Sequence, residues 1–222
     1  SVRVFARTAD GDVAPLRTLA GTLTGFNGPV LGFLDLVHDE LVVPNYTAAP
    51  RIAFFARTAS GDTAPLRTIQ GNLTGLGNPR STIVNLQTDR IIVSEYDQWA
   101  VRVYPRTASG NTPFGSELAG ALTELQNPYQ VVLTDFGEAV IGTDTAVNAR
   151  VVMHSLTSTG NTAPTLVLSG PATLLASPTG VTSDFARECA SGNSVDGCLF
   201  RDNFESSLLC YWSGVQGGPG CV

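Results

Sequence analysis

The sequence predicts an all-β fold made of repeated four-stranded sheets, and three observations carry that prediction. The stretch FARTASGDTAPLRTIQGNLTGLGNP, residues 55–79, has close relatives at residues 5–29, 104–128 and 154–178. Three independent marker sets keep one spacing: Thr8, Thr58, Thr107 and Thr157; Gly11, Gly61, Gly110 and Gly160; Pro29, Pro79, Pro128 and Pro178 step by 50, 49 and 50 residues. Each period holds four short runs rich in β-branched and aromatic residues, and no 3.6-residue apolar period is sustained long enough for a major helix. A repeat of this length, with four short antiparallel strands per unit, is the pattern of a β-propeller blade.

Taken in order, Val2-Arg3-Val4-Phe5 alternates as a half-buried strand does, and residues 8–15 supply Gly, Asp and Ala-Pro turn chemistry. Residues 16–19 form a second strand. After Pro29, residues 30–36 read as a continuously apolar strand buried on both faces, followed by the polar turn His38-Asp39-Glu40 and a strand over 41–43. The next period places strands at 52–55, 66–69, 82–86 and 91–93. The third places them at 101–104, 116–118, 130–133 and 139–141, and the last at 151–153, 165–168 and 180–182.

With the strand after Asn-Pro innermost, the propeller spans residues 1–187. It divides into an outer half-blade at 1–21, blades at about 30–70, 80–120 and 129–170, and an inner strand at 179–184. The two terminal parts complement one another, within a chain or between chains. The assembly strands are marked by Val2, Val4 and Phe5 at one end and Val181 at the other. An unpaired half-blade offers backbone donors and acceptors to a second chain, and such contact closes into a ring or runs on as a filament.

Several function classes are disfavoured by composition. No apolar run approaches the roughly 20 residues of a membrane helix. The net charge of −6 argues against nucleic acid as a partner. All 13 basic residues are arginine, which fits a GC-rich genome better than a function. Ser1 leads straight into a strand pattern, as in a mature chain without a leader. The cysteines, Cys189, Cys198, Cys210 and Cys221, fall in residues 188–222. Even, clustered cysteines in a Gly- and Ser-rich tail predict two disulfides and an oxidising compartment. Their spacing has no C-x-x-C pair for zinc.

The run of buried strand, polar turn, I-x-V-F-x-R-like strand and P-L-R-T-I-x-G outer strand resembles the NHL/YVTN-type propeller repeats of secreted bacterial proteins. The resemblance covers residues 1 to about 187. The tail sequence LFRDNFESSLLCYWS, residues 199–213, resembles the I-F-x-D-G-F-E-S-G-D…W-S motif at the ends of secreted proteobacterial proteins, with Asn203 and Ser207 where that motif has Gly. The resemblance implies a secreted, extracellular bacterial protein and leaves activity open, because one fold serves many functions.

The inventory for catalysis is thin. The only histidines are His38, in a turn, and His154, at the position of Phe5, Phe55 and Tyr104. The first reads as exposed decoration and the second as a packing residue. No Gly-x-Ser-x-Gly occurs. Asn45, Glu95 and Asp144 recur after the second inner strands and could gather as oxygen ligands for calcium, as in propeller lactonases; the competing reading is that each closes a turn. Asp35, Asn85, Asp135 and Asp184 invite the same pair of readings. The arginines Arg7, Arg57, Arg106, Arg17 and Arg67 are placed to pair with Asp12 and Asp62 across hairpins. Tyr46, Tyr96, Trp99 and Trp212 are the candidate stacking residues for a glycan or peptide. The expectation is therefore a non-enzymatic, self-assembling structural propeller without a required cofactor. A carbohydrate- or peptide-binding module is the first alternative and a calcium-assisted lactonase or hydrolase the second.

Overall fold

The structure is a computed structural model that describes residues 1–47, 49–134, 137–143 and 148–182. Asp135, Asp144, Asp184, the four cysteines and Trp212 lie outside the described residues, as does the tail motif.

Strands β1 (Val2–Val4) and β2 (Arg17–Leu19) form a two-stranded antiparallel sheet. Three four-stranded antiparallel sheets follow. The first contains β3 (Phe33–Asp35), β4 (Glu40–Asn45), β5 (Arg51–Ala56) and β6 (Arg67–Ile69). The second contains β7 (Pro79–Asn85), β8 (Arg90–Glu95), β9 (Ala100–Pro105) and β10 (Ser116–Ala119). The third contains β11 (Pro128–Leu133), β12 (Glu138–Thr143), β13 (Arg150–Ser155) and β14 (Leu166–Ser169). Strands pair in chain order, so each sheet is a meander whose first strand packs beside the first strand of its neighbour, β3 with β7 and β7 with β11.

The period-two alternation along each middle strand feeds two separate cores. In the first full sheet Val43, Ala53 and Phe55 pack with Leu19 of β2, while Val42, Ile52, Phe54 and Ile69 pack with Val84, Ile91 and Val93 of the second. The second sheet repeats the division: Ile83, Ile92, Val101 and Leu118 meet Val131, Leu133, Ile141 and Val152 of the third. A one-residue slip of any strand would exchange these two sets, so packing on both faces pins the register.

The strand after Pro29 departs from expectation. It covers only Phe33–Asp35, and Leu31 and Leu34 are 38% and 47% exposed. β7 lies between β3 and β11, and is buried along nearly its whole length. Among the described residues β3 has no inner strand on its other side, which leaves that face of the apolar run in solvent.

Candidate functional site

Two of the predicted stacking residues converge. Inner strands start at the end of the sheets where second strands finish, so Tyr46, after β4, and Tyr96, after β8, meet Arg80 at the start of β7. The Arg80 guanidinium carbon lies 4.1 Å from the Tyr46 ring centroid, 4.8 Å from Tyr96 and 5.5 Å from Tyr129. Tyr96 and Tyr129 meet edge-on at 6.2 Å. Arg80 Nε is buried without a hydrogen-bond partner, and ring faces, not a carboxylate, surround the cation among the described residues. Sequence reasoning missed Arg80 and Tyr129. The available signal was the repeat column Val30, Arg80, Tyr129 and Thr179, directly after the invariant proline column, which places an arginine and a tyrosine at one position of successive blades. Trp99 stands apart, half-exposed with φ of 51°, in an open cleft of about 340 Å³ with Gln98, Glu124, Gln126 and Arg150.

The carboxylate and amide side chains expected to mark a calcium site are engaged locally. Asn45 Oδ1 accepts the Asn27 N–H at 3.1 Å, and Glu95 Oε2 accepts the N–H groups of Gly77 and Asn78, each at 2.9 Å. The pairings Pro29 with Asn45, Pro79 with Glu95 and Pro128 with Thr143 show that Thr143 holds the third equivalent position. The hairpin from Pro128 to Thr143 is one residue shorter than those from Pro29 to Asn45 and from Pro79 to Glu95, so the 49-residue step that aligns Asp144 with Glu95 in sequence does not hold at this position. Burial pushes Glu95 up to about 7; the Gly77 and Asn78 N–H groups and Arg102, 4.0 Å away, oppose the rise only in part. Glu95 Oε1 is buried without a hydrogen-bond partner. Among the described residues no three His, Cys, Asp or Glu side chains are grouped as metal ligands.

Asp35 and Asn85 close turns: Asp35 Oδ1 accepts the Val37 and His38 N–H groups, and Asn85 Oδ1 those of Gln87 and Thr88. His38 is more than decoration, because its Nδ1 lies 2.8 Å from Asp35 Oδ2. Burial pushes the Asp35 carboxyl up, but these bonds and the His38 ring outweigh it and hold the group below its usual value. His154 takes the packing position expected of it. It is buried, with Nε2 3.0 Å from the Thr123 carbonyl, and desolvation lowers its pKa.

The arginines find other partners than those the spacing offered. Arg57 pairs with Asp39, Arg106 with Asp89 and Arg67 with Glu40. Asp62 is free for a different task, seen at every junction between sheets. The Gly61 N–H donates to the Thr18 carbonyl at 2.7 Å, the Ala20 N–H donates to the Gly61 carbonyl at 3.0 Å, and Asp62 Oδ1 accepts the Leu23 N–H at 2.7 Å. Gly110 and Asn111 do the same to Thr68, Gln70 and Leu73, and Gly160 and Asn161 to Glu117, Ala119 and Leu122. A glycine is required opposite each capping side chain: a Cβ on Gly21, Gly71 or Gly120 would stand 2.2–2.5 Å from Asp62, Asn111 or Asn161. The T-A-S-G loops therefore clasp the outer strand of the preceding sheet.

At the two ends, Val2 and Val4 lie in β1, whose only sheet partner among the described residues is β2. Phe5 is 46% exposed where Phe55 and Tyr104 are buried. Val181 donates its N–H to Gln130 Oε1 at 3.1 Å, beside β11.

The sequence matches no protein-family model and no curated protein. Among solved structures, the nidogen/laminin complex is similar with a TM-score of 0.51 at 13% identity, over 69% of this chain and 51% of that one. The fold is a β-propeller. The WD40 β-propeller domain of Doa1 (TM-score 0.43, 13% identity, 60% of this chain and 39% of that one) and a protein of unknown function from Bacteroides caccae (0.44, 13%, 63% and 45%) are also similar. The chain spans about half the length, or less, of these structures. Among the described residues, no helix of the propeller is long and apolar enough to cross a membrane.

Proposed function

We propose that this propeller is a secreted bacterial structural module that assembles with itself, its subunits completing one another's blades into a ring or an extracellular filament. The observation that carries the reading is the two-stranded β1–β2 sheet, an outer half-blade set against a complete blade. At the other end, the Val181 N–H bonded to Gln130 Oε1 beside β11 supports reading residues 179–182 as part of an inner strand. An open strand edge is a template for another chain, and two complementary halves on one molecule favour heterologous, head-to-tail contact. The role is non-enzymatic and uses no cofactor. Light scattering coupled to size-exclusion chromatography tests it: assemblies that grow with concentration are expected, and a single-chain mass unchanged up to high micromolar concentration would refute it.

A second reading, recognition of an acidic glycan or peptide, is favoured by the Arg80 collar, where three tyrosine rings surround a cation that has no carboxylate partner among the described residues. Calorimetric titration with acidic oligosaccharides and peptides tests this reading. Binding abolished by Arg80→Ala supports it, and no heat with any member of either class eliminates it.

A further inference from the structure

The three junctions between blades share one set of contacts, and the chain carries both halves of a fourth set without joining them. The donor half is the loop 8–15, in which Gly11 and Asp12 occupy the columns of Gly61/Asp62, Gly110/Asn111 and Gly160/Asn161. Gly11 and Asp12 are exposed, and neither makes the clasp that their three counterparts make. The receiving half is β14 with the short 3-10 turn Pro171–Thr173, in the columns of β2, β6 and β10 and the turns after them. Leu168 is 48% exposed, whereas Leu19, Ile69 and Leu118 in the same column are 2%, 0% and 6% exposed. A Cβ on Gly170 would meet nothing within 4 Å, whereas its three counterparts face the capping side chain.

The apolar parts match as well. Phe55 packs with Leu19 and lies 5.2 Å from the Phe26 ring of the preceding unit. Phe5 stands in the Phe55 column, and Leu168 and Leu175 stand in the columns of Leu19 and Phe26. After three complete blades, one chain still leaves Phe5 and Leu168 both in solvent.

We propose that a second copy of this chain docks its 8–15 loop on β14 and the Pro171–Thr173 turn, forming the fourth junction between molecules, head to tail. The inference rests on the self-assembly reading above and names the surface that carries it. In this junction the Gly11 N–H donates to the Val167 carbonyl of the other copy, the Ser169 N–H donates to the Gly11 carbonyl, and the Ala172 N–H donates to the Asp12 carboxylate. Phe5 covers Leu168 and Leu175, and Gly170 leaves room for the Asp12 side chain. Each molecule has one loop and one receiving edge, so the contact propagates until a ring closes it.

Sedimentation velocity over a concentration series tests the assignment. Asp12 is exposed and makes no hydrogen bond or ion pair among the described residues, so Asp12→Ala should leave the fold intact. Losing a charge-assisted hydrogen bond should raise the dissociation constant about tenfold. Asp12→Asn should assemble as the natural chain does, since Asn111 and Asn161 already perform this task at two junctions. A complementation test adds the direction of contact. Asp12→Arg blocks the loop and Leu168→Glu blocks the edge, so each alone should be monomeric, and an equimolar mixture should form a species of two chains that grows no further.

Assembly of the natural chain with no weakening in Asp12→Ala or Leu168→Glu would overturn this surface while leaving self-assembly through blade completion standing. A natural chain monomeric at every concentration would end both. If that monomer were also destabilised by Asp12→Ala and not by Asp12→Asn, the junction would lie inside one chain, and the assignment to a second copy would be overturned.

Discussion

Replacing Glu95 by glutamine should remove a pH dependence of stability that the natural chain carries between about pH 4.5 and 7. Glu95 is fully buried, its Oε2 held by two backbone N–H groups and its Oε1 unpartnered. Its carboxyl titrates near 4.5 when unfolded and at about 7 in the fold. The folded state therefore holds the proton more tightly. The stabilisation this gives is complete below the unfolded value and is lost as the pH rises through 7. The gap between the two values corresponds to about 3 kcal/mol. His154 acts in the opposite sense. Its folded pKa is depressed below 6.5, so its contribution is present above that pH and declines as the pH falls. The natural chain's profile is the sum of both, and the difference between the natural chain and Glu95→Gln isolates the carboxylate. Urea denaturation at one protein concentration, at half-unit steps from pH 4.5 to 8, measures it. The variant should gain on the natural chain by up to about 3 kcal/mol as the pH rises. Parallel profiles for the two proteins would refute the assignment of a buried, proton-holding Glu95.

Packing in the junctions is tested by paired truncations. Leu19→Ala, in the core formed with Val43, Ala53 and Phe55, should cost about 2–5 kcal/mol, whereas Leu168→Ala, in the same repeat column but half-exposed, should cost a monomer less than about 1 kcal/mol by urea denaturation. Tyr104→Phe removes the donor to the Thr74 carbonyl, a bond of 2.6 Å, and should lower stability by about 1–3 kcal/mol because that carbonyl is left buried and unpaired. Asp62→Ala should cost about 1 kcal/mol through the lost acceptor for Leu23, and Asp62→Asn should recover it; equal stability of the two variants would show that the clasp contributes nothing.

How much was legible in the sequence differs between fold and site. The columns Thr8/Thr58/Thr107/Thr157 and Pro29/Pro79/Pro128/Pro178 define the repeat before any coordinate is known, because identical units in identical surroundings select identical residues. Strand alternation follows from the same source: Val42 and Val43, or Phe54 and Phe55, read as one apolar run because each strand is covered on both faces. The sequence could not show that Tyr46, Tyr96 and Tyr129 meet on Arg80, since those residues come from three blades and nothing in the linear spacing brings them together. It also misassigned Asp62. Proximity along the chain offered the arginines, while the fold brings the Leu23 N–H, 39 residues away, to Asp62 Oδ1.

The sequence by itself determined the unit, its four strands and its period, because these are set by local patterning and turn chemistry repeated along one chain. Only the tertiary structure decided what each repeated residue does. The column Phe5, Phe55, Tyr104 and His154 is one position in sequence; three of its members are buried under a preceding blade and one, Phe5, faces solvent. The column Asp12, Asp62, Asn111 and Asn161 divides in the same way. The physical reason is that burial and hydrogen bonding at a junction belong to two neighbouring units at once, and a neighbour is a fact of three-dimensional packing that no single repeat encodes.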